Sequence, residues 1–188
     1  MRLGKRHCKN WGEFMGKKVI VIGCPGSGKS TFARALGELT GLPVYHLDQL
    51  NWNADKTTVP KEVFRQRLQE VLEKDAWIID GNYGSTIELR LQYCDTVFFL
   101  DLPTEVCVEG IRARMGKPRA DMPWVETEPD EEFMRFIIHD FPTEKRPQIF
   151  ALREKYAEKN WITFRLRAEA DDYLQNNFHK PLDKPHNL

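Results

Sequence analysis

Residues 23–31 read GCPGSGKST, with Gly23, Gly26 and Gly28 leaving backbone bare just before Lys29, Ser30 and Thr31. Gly23, Gly28, Lys29 and Ser30 fit the spacing GxxxxGK[ST]. Polyphosphate binding is the chemistry that needs this pattern. Consecutive main-chain N–H groups must point inward to wrap phosphate oxygens. Side chains would obstruct them, and several positions need dihedrals that glycine adopts at little cost. Lys29 supplies a compact cation for the outer phosphates. The Ser30 hydroxyl suits Mg²⁺ shared with phosphate oxygens. The expected cradle is therefore Gly23, Cys24, Pro25, Gly26, Ser27, Gly28, Lys29, Ser30 and Thr31. Cys24 occupies a variable position and is assigned no chemistry.

Three acids stand where apolar runs stop: Asp48 after VYHL, Asp80 after WII and Asp101 after TVFFL. Asp101 is placed either to hold water on Mg²⁺ or to cap the helix that starts near Pro103. Asp48 and Asp80 are each suited to accept a hydrogen bond from an acceptor hydroxyl, to act as base, or to bind metal-held water. A turn or cap is the plain alternative for each. Gly81 lets backbone approach a ligand, and Arg90 is expected to reach an acceptor anion. Arg112, Arg114, Arg119 and Arg146 surround the polar stretch GKPRADMPWVETEPD. Guanidinium groups stabilise the charge that phosphoryl transfer spreads over equatorial oxygens. A solvated basic face is the alternative for any one of them. Trp52 and Trp124 sit in polar surroundings, where they would flank a substrate or pack. His46, His139 and His179 stand alone and read as structural.

Short apolar runs must position these groups. KVIVIG, PVYHLD, AWIID, TVFFLD and NWITFRL read as strands. Between them lie helical patterns: from Lys29 to Gly41, from Pro60, over 103–115, near 130–140 and 147–158, and over 168–177. Strands alternating with helices predict right-handed crossovers and a parallel sheet covered on both faces. Ligands in such sheets bind beyond the carboxyl ends of the strands. The glycine loop, Asp48, Asp80 and Asp101 all fall there, so the fold aims them at one crevice.

The chain has 188 residues, 41% apolar and 30% charged, which suits one soluble domain with a single core. Lys plus Arg and Asp plus Glu both number 28, so no net charge attracts a polyanion at long range. A nucleic-acid partner is therefore not expected. Cys8, Cys24, Cys94 and Cys107 form no CxxC pair and read as free thiols in a reducing cytoplasm. No apolar stretch is long enough to span a membrane. Residues 1–16 read as a basic extension, with Met15 an alternative start. Residues 17–178 form the domain, with a lid region at about 112–146, and 179–188 form an irregular tail. A monomer is the expected state.

VIGCPGSGKSTFARAL, LPVYHLDQLNWNADKT, WIIDGNYGSTIELRL, DTVFFLDLP and GKPRADMPW together resemble the adenylate-kinase-like P-loop kinases. Within that family they are most similar to the bacterial group labelled DNA topology modulation protein, or FlaR-like. The resemblance runs from residue 18 to about 175. It implies a three-layer α-β-α P-loop NTPase fold of nucleoside-monophosphate-kinase type, with a five-stranded parallel sheet and a short lid. It implies ATP and Mg²⁺ as cofactors, and transfer of the γ-phosphoryl group to a small acceptor, with a nucleoside monophosphate among the candidates. Lys29, Arg114, Arg119 and Arg146 would then be catalytic. Asp48, Asp80, Gly81, Arg90 and Arg112 would bind the acceptor, and Ser30 and Asp101 would hold the metal. The sequence departs from the family at two points. DGNY stands where adenylate kinases carry DGFPR, and Gly110 stands near another of their arginines, with Arg112 as the candidate substitute. The group's label implies a second function, a nucleotide-dependent regulator of DNA topology. Its candidate anchor is the basic set Arg2, Lys5, Arg6 and Lys9.

Overall fold

Val19, Ile20, Val21 and Ile22 in β1 (Lys18–Gly23) are wholly buried. Burying each contributes about 1.5–3 kcal/mol relative to exposure. Such a strand must lie inside a sheet covered on both faces. In the computed structural model, which describes residues 15–128 and 130–178, β1 is the middle of five parallel strands. The others are β2 (Val44–His46), β3 (Trp77–Asp80), β4 (Thr96–Leu100) and β5 (Asn160–Phe164), in the order β2-β3-β1-β4-β5. Val21 lies beside Asp80, His46 beside Asp80, and Gly23 beside Leu100. The carboxyl ends of the strands therefore come together at one edge. The strand order reverses about β1, and such a reversal opens a crevice.

The helices cover both faces. Helix α1 (Lys29–Thr40) buries Phe32, Ala33, Leu36, Gly37 and Thr40. It stops where Gly41 turns left-handed, at φ 76°, and donates its N–H to Gly37 O. A short helix α2 (Leu47–Asn51) follows β2 directly. Strand β2 thus ends at His46, earlier than the sequence suggests, and Asp48 sits in the first turn of α2. Next come α3 (Lys61–Leu72), α4 (Gly84–Tyr93) and α5 (Thr104–Arg114).

The two helices predicted near 130–140 and 147–158 form one run. Helix α6 (Glu131–Arg135) passes through a π-helical stretch (Phe136–Lys145) into α7 (Arg146–Lys155). Pro142 lies within the stretch and has no N–H to donate. The wider winding carries the chain past that gap instead of ending it. Helix α8 (Arg167–Asn177) closes the described chain.

Met15, assigned to the extension on sequence, is buried in the core, and its carbonyl accepts from the Thr96 hydroxyl. Residues 1–14 and the 179–188 tail lie outside the described residues. Among the described residues, no helix is long and apolar enough to cross a membrane.

Candidate active site

The glycine loop is built against α5. Gly26 and Gly28 hold φ of 83° and 93°, which favour glycine. A Cβ on Gly26 would lie 2.0 Å from the Cys107 carbonyl oxygen. One on Gly110, also on α5, would lie 2.1 Å from Gly26 O. Bare backbone on both sides is thus what lets the loop settle there. An arginine in place of Gly110 would displace the loop. The Ser27 N–H donates to Cys24 O at 3.1 Å, and Phe32 N–H to Gly28 O at 2.9 Å, joining loop to helix. Cys24 and Cys107 share a thiol hydrogen bond. That bond and burial push the Cys24 pKa far up, while the same bond holds Cys107 down. Cys24 is therefore a packing thiol.

Arg167, at the start of α8, donates to Gly26 O at 2.9 Å and Val106 O at 3.1 Å. It clamps the loop to α5. Sequence reasoning did not select it, although Arg165 and Arg167 follow directly on the fifth strand.

The loop opens on a cavity of about 500 Å³. Gly26–Arg34 form one wall, α5 and the lid another, and Arg167, Ala170 and Leu174 of α8 the third. Ser27 Oγ is buried there with no hydrogen-bond partner, and nothing lies within 4 Å of where a Gly28 Cβ would stand. An unpaired buried hydroxyl and an open turn fit an arriving phosphate oxygen. The Lys29 ammonium makes no hydrogen bond among the described residues.

Beyond Lys29 lies a second group. His46 Nδ1 is 2.8 Å from Asp80 Oδ2, both side chains being buried, while Asp80 Oδ1 has no partner. The Tyr83 hydroxyl donates to Asp48 Oδ1 at 2.9 Å. Burial raises the Asp48 pKa above the usual carboxylate range, against the downward pull of Lys29 and Tyr83. Asn82, missed on sequence, donates to Gly23 O at 2.5 Å and accepts from Gly23 N–H at 3.0 Å. It ties the strand-three loop to the start of the cradle.

Arg90 corrects an expectation. It is wholly buried and donates to Gly81 O and Asn82 O at 2.8 Å and to Tyr83 O and Thr86 O at 3.4 Å. Burial pulls its pKa down to about 10, so it stays charged at neutral pH. Its positive charge offsets the carbonyl dipoles of the DGNY turn, and its guanidinium is engaged by four carbonyls rather than turned to an acceptor anion. Arg112 is exposed on α5, has no side-chain partner among the described residues and does not line this cavity.

The end of α5, the loop after it and the start of α7 carry the other arginines. Arg119 donates to Asp121 Oδ2 at 2.6 Å and Glu126 Oε2 at 2.7 Å, and Arg114 donates to Glu126 Oε1 at 2.8 Å. Arg34 of α1 lies 3.4 Å from Asp121 Oδ1. Burial would raise the Asp121 pKa, but the hydrogen bonds and charge of Arg119 bring it down to about 2. Gln49 donates to Ala120 O, and Trp52 meets Trp124 edge-on at 5.2 Å. The lid thus rests on the segment after β2. Asp101 and Arg146, assigned separate roles on sequence, meet in a two-pronged pair at 2.6 and 2.9 Å. Such planar pairing is among the stronger ionic contacts.

No family model matches the chain. Adenylate kinases from Thermotoga petrophila and Thermotoga maritima are each 27% identical to it over 85 residues, or 44% of the chain. That alignment spans 38% of the length of these relatives. A crystal structure of shikimate kinase from Bacteroides thetaiotaomicron superposes with a TM-score of 0.54 at 21% identity. The superposition covers 84% of this chain and 94% of the other. The chain has the P-loop kinase fold.

Proposed function

We propose that the protein is a Mg·ATP-dependent phosphotransferase that moves the γ-phosphoryl group to a small acceptor. One observation carries the reading: the glycine loop exposes the Gly28 backbone, the orphaned Ser27 hydroxyl and the unpaired Lys29 ammonium to a cavity rimmed with arginines. Lys29 would lie against the outer phosphates and follow the charge as it shifts. Arg119 and Arg114, held by Asp121 and Glu126, would steady the equatorial oxygens. Mg²⁺, when bound, supplies charge neutralisation on the phosphate oxygens; the Ser30 hydroxyl would hold it directly and Asp101 through water. Arg146, now on Asp101, is placed to exchange that carboxylate for a phosphate oxygen. Asp48 accepts the proton that the acceptor loses.

The DNA-topology reading needs Arg2, Lys5, Arg6 and Lys9 as its anchor, while the chain as a whole has no net charge to attract a polyanion, so phosphotransfer leads. The test is ADP release from Mg·ATP by the purified full chain and by Lys29→Ala. Loss of release in a folded variant is expected, and an unchanged rate would overturn the mechanism.

A further inference from the structure

Positive charge outweighs negative on one side of Lys29. The cavity wall holds Lys29, Arg34, Arg114, Lys117, Arg119 and Arg167 against Asp121 and Asp171. Neither Asp48 nor Asp80 lines it. Around Asp48 the nearest charges are Lys29, Asp80 and the cavity-lining Asp121, and Arg90 acts on Asp80 from beneath the DGNY turn. Asp121 is already engaged by Arg119 and Arg34. His46 serves Asp80 Oδ2, Tyr83 serves Asp48, and Arg90 is committed to four carbonyls. That leaves Asp80 Oδ1, buried and unpartnered, with the remaining oxygen of Asp48. An entering phosphate or carboxylate would meet two carboxylates and no uncommitted guanidinium. Hydroxyl and ammonium donors would instead satisfy both acids.

We infer that the acceptor is a neutral or cationic hydroxyl compound, a polyol or an amino alcohol, and not a nucleoside monophosphate. The inference rests on the phosphotransferase reading. The acceptor oxygen bonds to the γ-phosphorus of ATP, the bond from that phosphorus to the β-bridging oxygen breaks, and ADP leaves with the electron pair. The hydroxyl proton passes to the Asp48 carboxylate. Asp80 accepts a second donor and fixes the acceptor's orientation.

The test measures ADP release by the full chain from Mg·ATP alone and with two sets of compounds. One set is AMP, CMP, GMP and UMP. The other is glycerol, myo-inositol, D-ribose, glucosamine and ethanolamine, with the product identified by phosphorus NMR. At least one member of the second set is expected to raise release tenfold or more and give a phosphate monoester resonance, while every monophosphate changes it less than twofold. A tenfold rise with a monophosphate, accompanied by a diphosphate resonance, overturns the inference, and so does a panel in which nothing raises the rate. Equilibrium binding of a non-hydrolysable Mg·ATP analogue separates the two failures. No binding removes the phosphotransferase reading itself, whereas binding with monophosphate turnover removes only the acceptor class. With the responding compound, Asp80→Asn is expected to raise KM at least tenfold and leave analogue affinity within twofold. An unchanged KM would count against Asp80 as an acceptor contact.

Discussion

The two sides of Lys29 are built by opposite means. On the cavity side, backbone does the work: two left-handed glycines, a helix start and a second helix whose own glycine makes room. On the acid side, side chains do it: His46 on Asp80, Tyr83 on Asp48, Asn82 on Gly23, and Arg90 beneath the turn. On the proposed function, a site made of main chain would recognise what every nucleoside triphosphate shares. A site made of side chains recognises whatever fits their charges. Substitutions on the two sides should therefore fail differently.

Lys29→Ala should give the largest effect, a fall in ADP release of about 10²–10³-fold, with melting nearly unchanged. Coupled loss of stability would show that Lys29 also holds the fold. Arg90→Met should act on the acid side instead. It strands carbonyls that now accept hydrogen bonds and should cost roughly 2–4 kcal/mol of stability, read by urea unfolding. Nucleotide affinity should persist wherever the variant is folded. Asn82→Ala removes the bridge between the sides and should cost about 1–2 kcal/mol. Nucleotide and acceptor KM should worsen together, and movement of only one would show that the bridge does not couple them. Trp124→Ala should cost roughly 0.5–1.5 kcal/mol beyond lost area and loosen the lid from Trp52, seen as faster proteolysis in the lid.

The smallest effect is one of pH. The Asp121 pKa is depressed from 3.8 to about 2 in the folded chain. Its contribution is therefore complete above about pH 4 and is lost as pH falls toward 2. Asp121→Asn should flatten that part of the stability profile, and an unchanged profile would mean that Arg119 finds another partner.

The glycine loop between β1 and α1 was legible in the sequence because a turn built of backbone leaves a compositional trace. Glycines must stand at fixed intervals, with a lysine and a hydroxyl next to them, whatever surrounds them. The parallel sheet was legible for the same local reason, since β1 and β4 are unbroken apolar runs. The pairings were not. Arg90 and Arg119 are the same residue type in similarly polar stretches, yet one lies under a turn and the other in the lid. Arg146 and Asp101 are 45 residues apart and meet only because β4 and the long helical run pack together. The two helical patterns expected near 130–140 and 147–158 join into one run through the π-helical stretch that holds Pro142.

The sequence by itself determined the layered parallel fold and the glycine loop after β1, because periodicity and glycine spacing act over a few residues. Only the tertiary structure decided which arginines remain free, which acid keeps an empty oxygen and where the positive charge stops. Those outcomes depend on burial and on partners distant in the chain, and burial sets what a charged group can still offer a ligand.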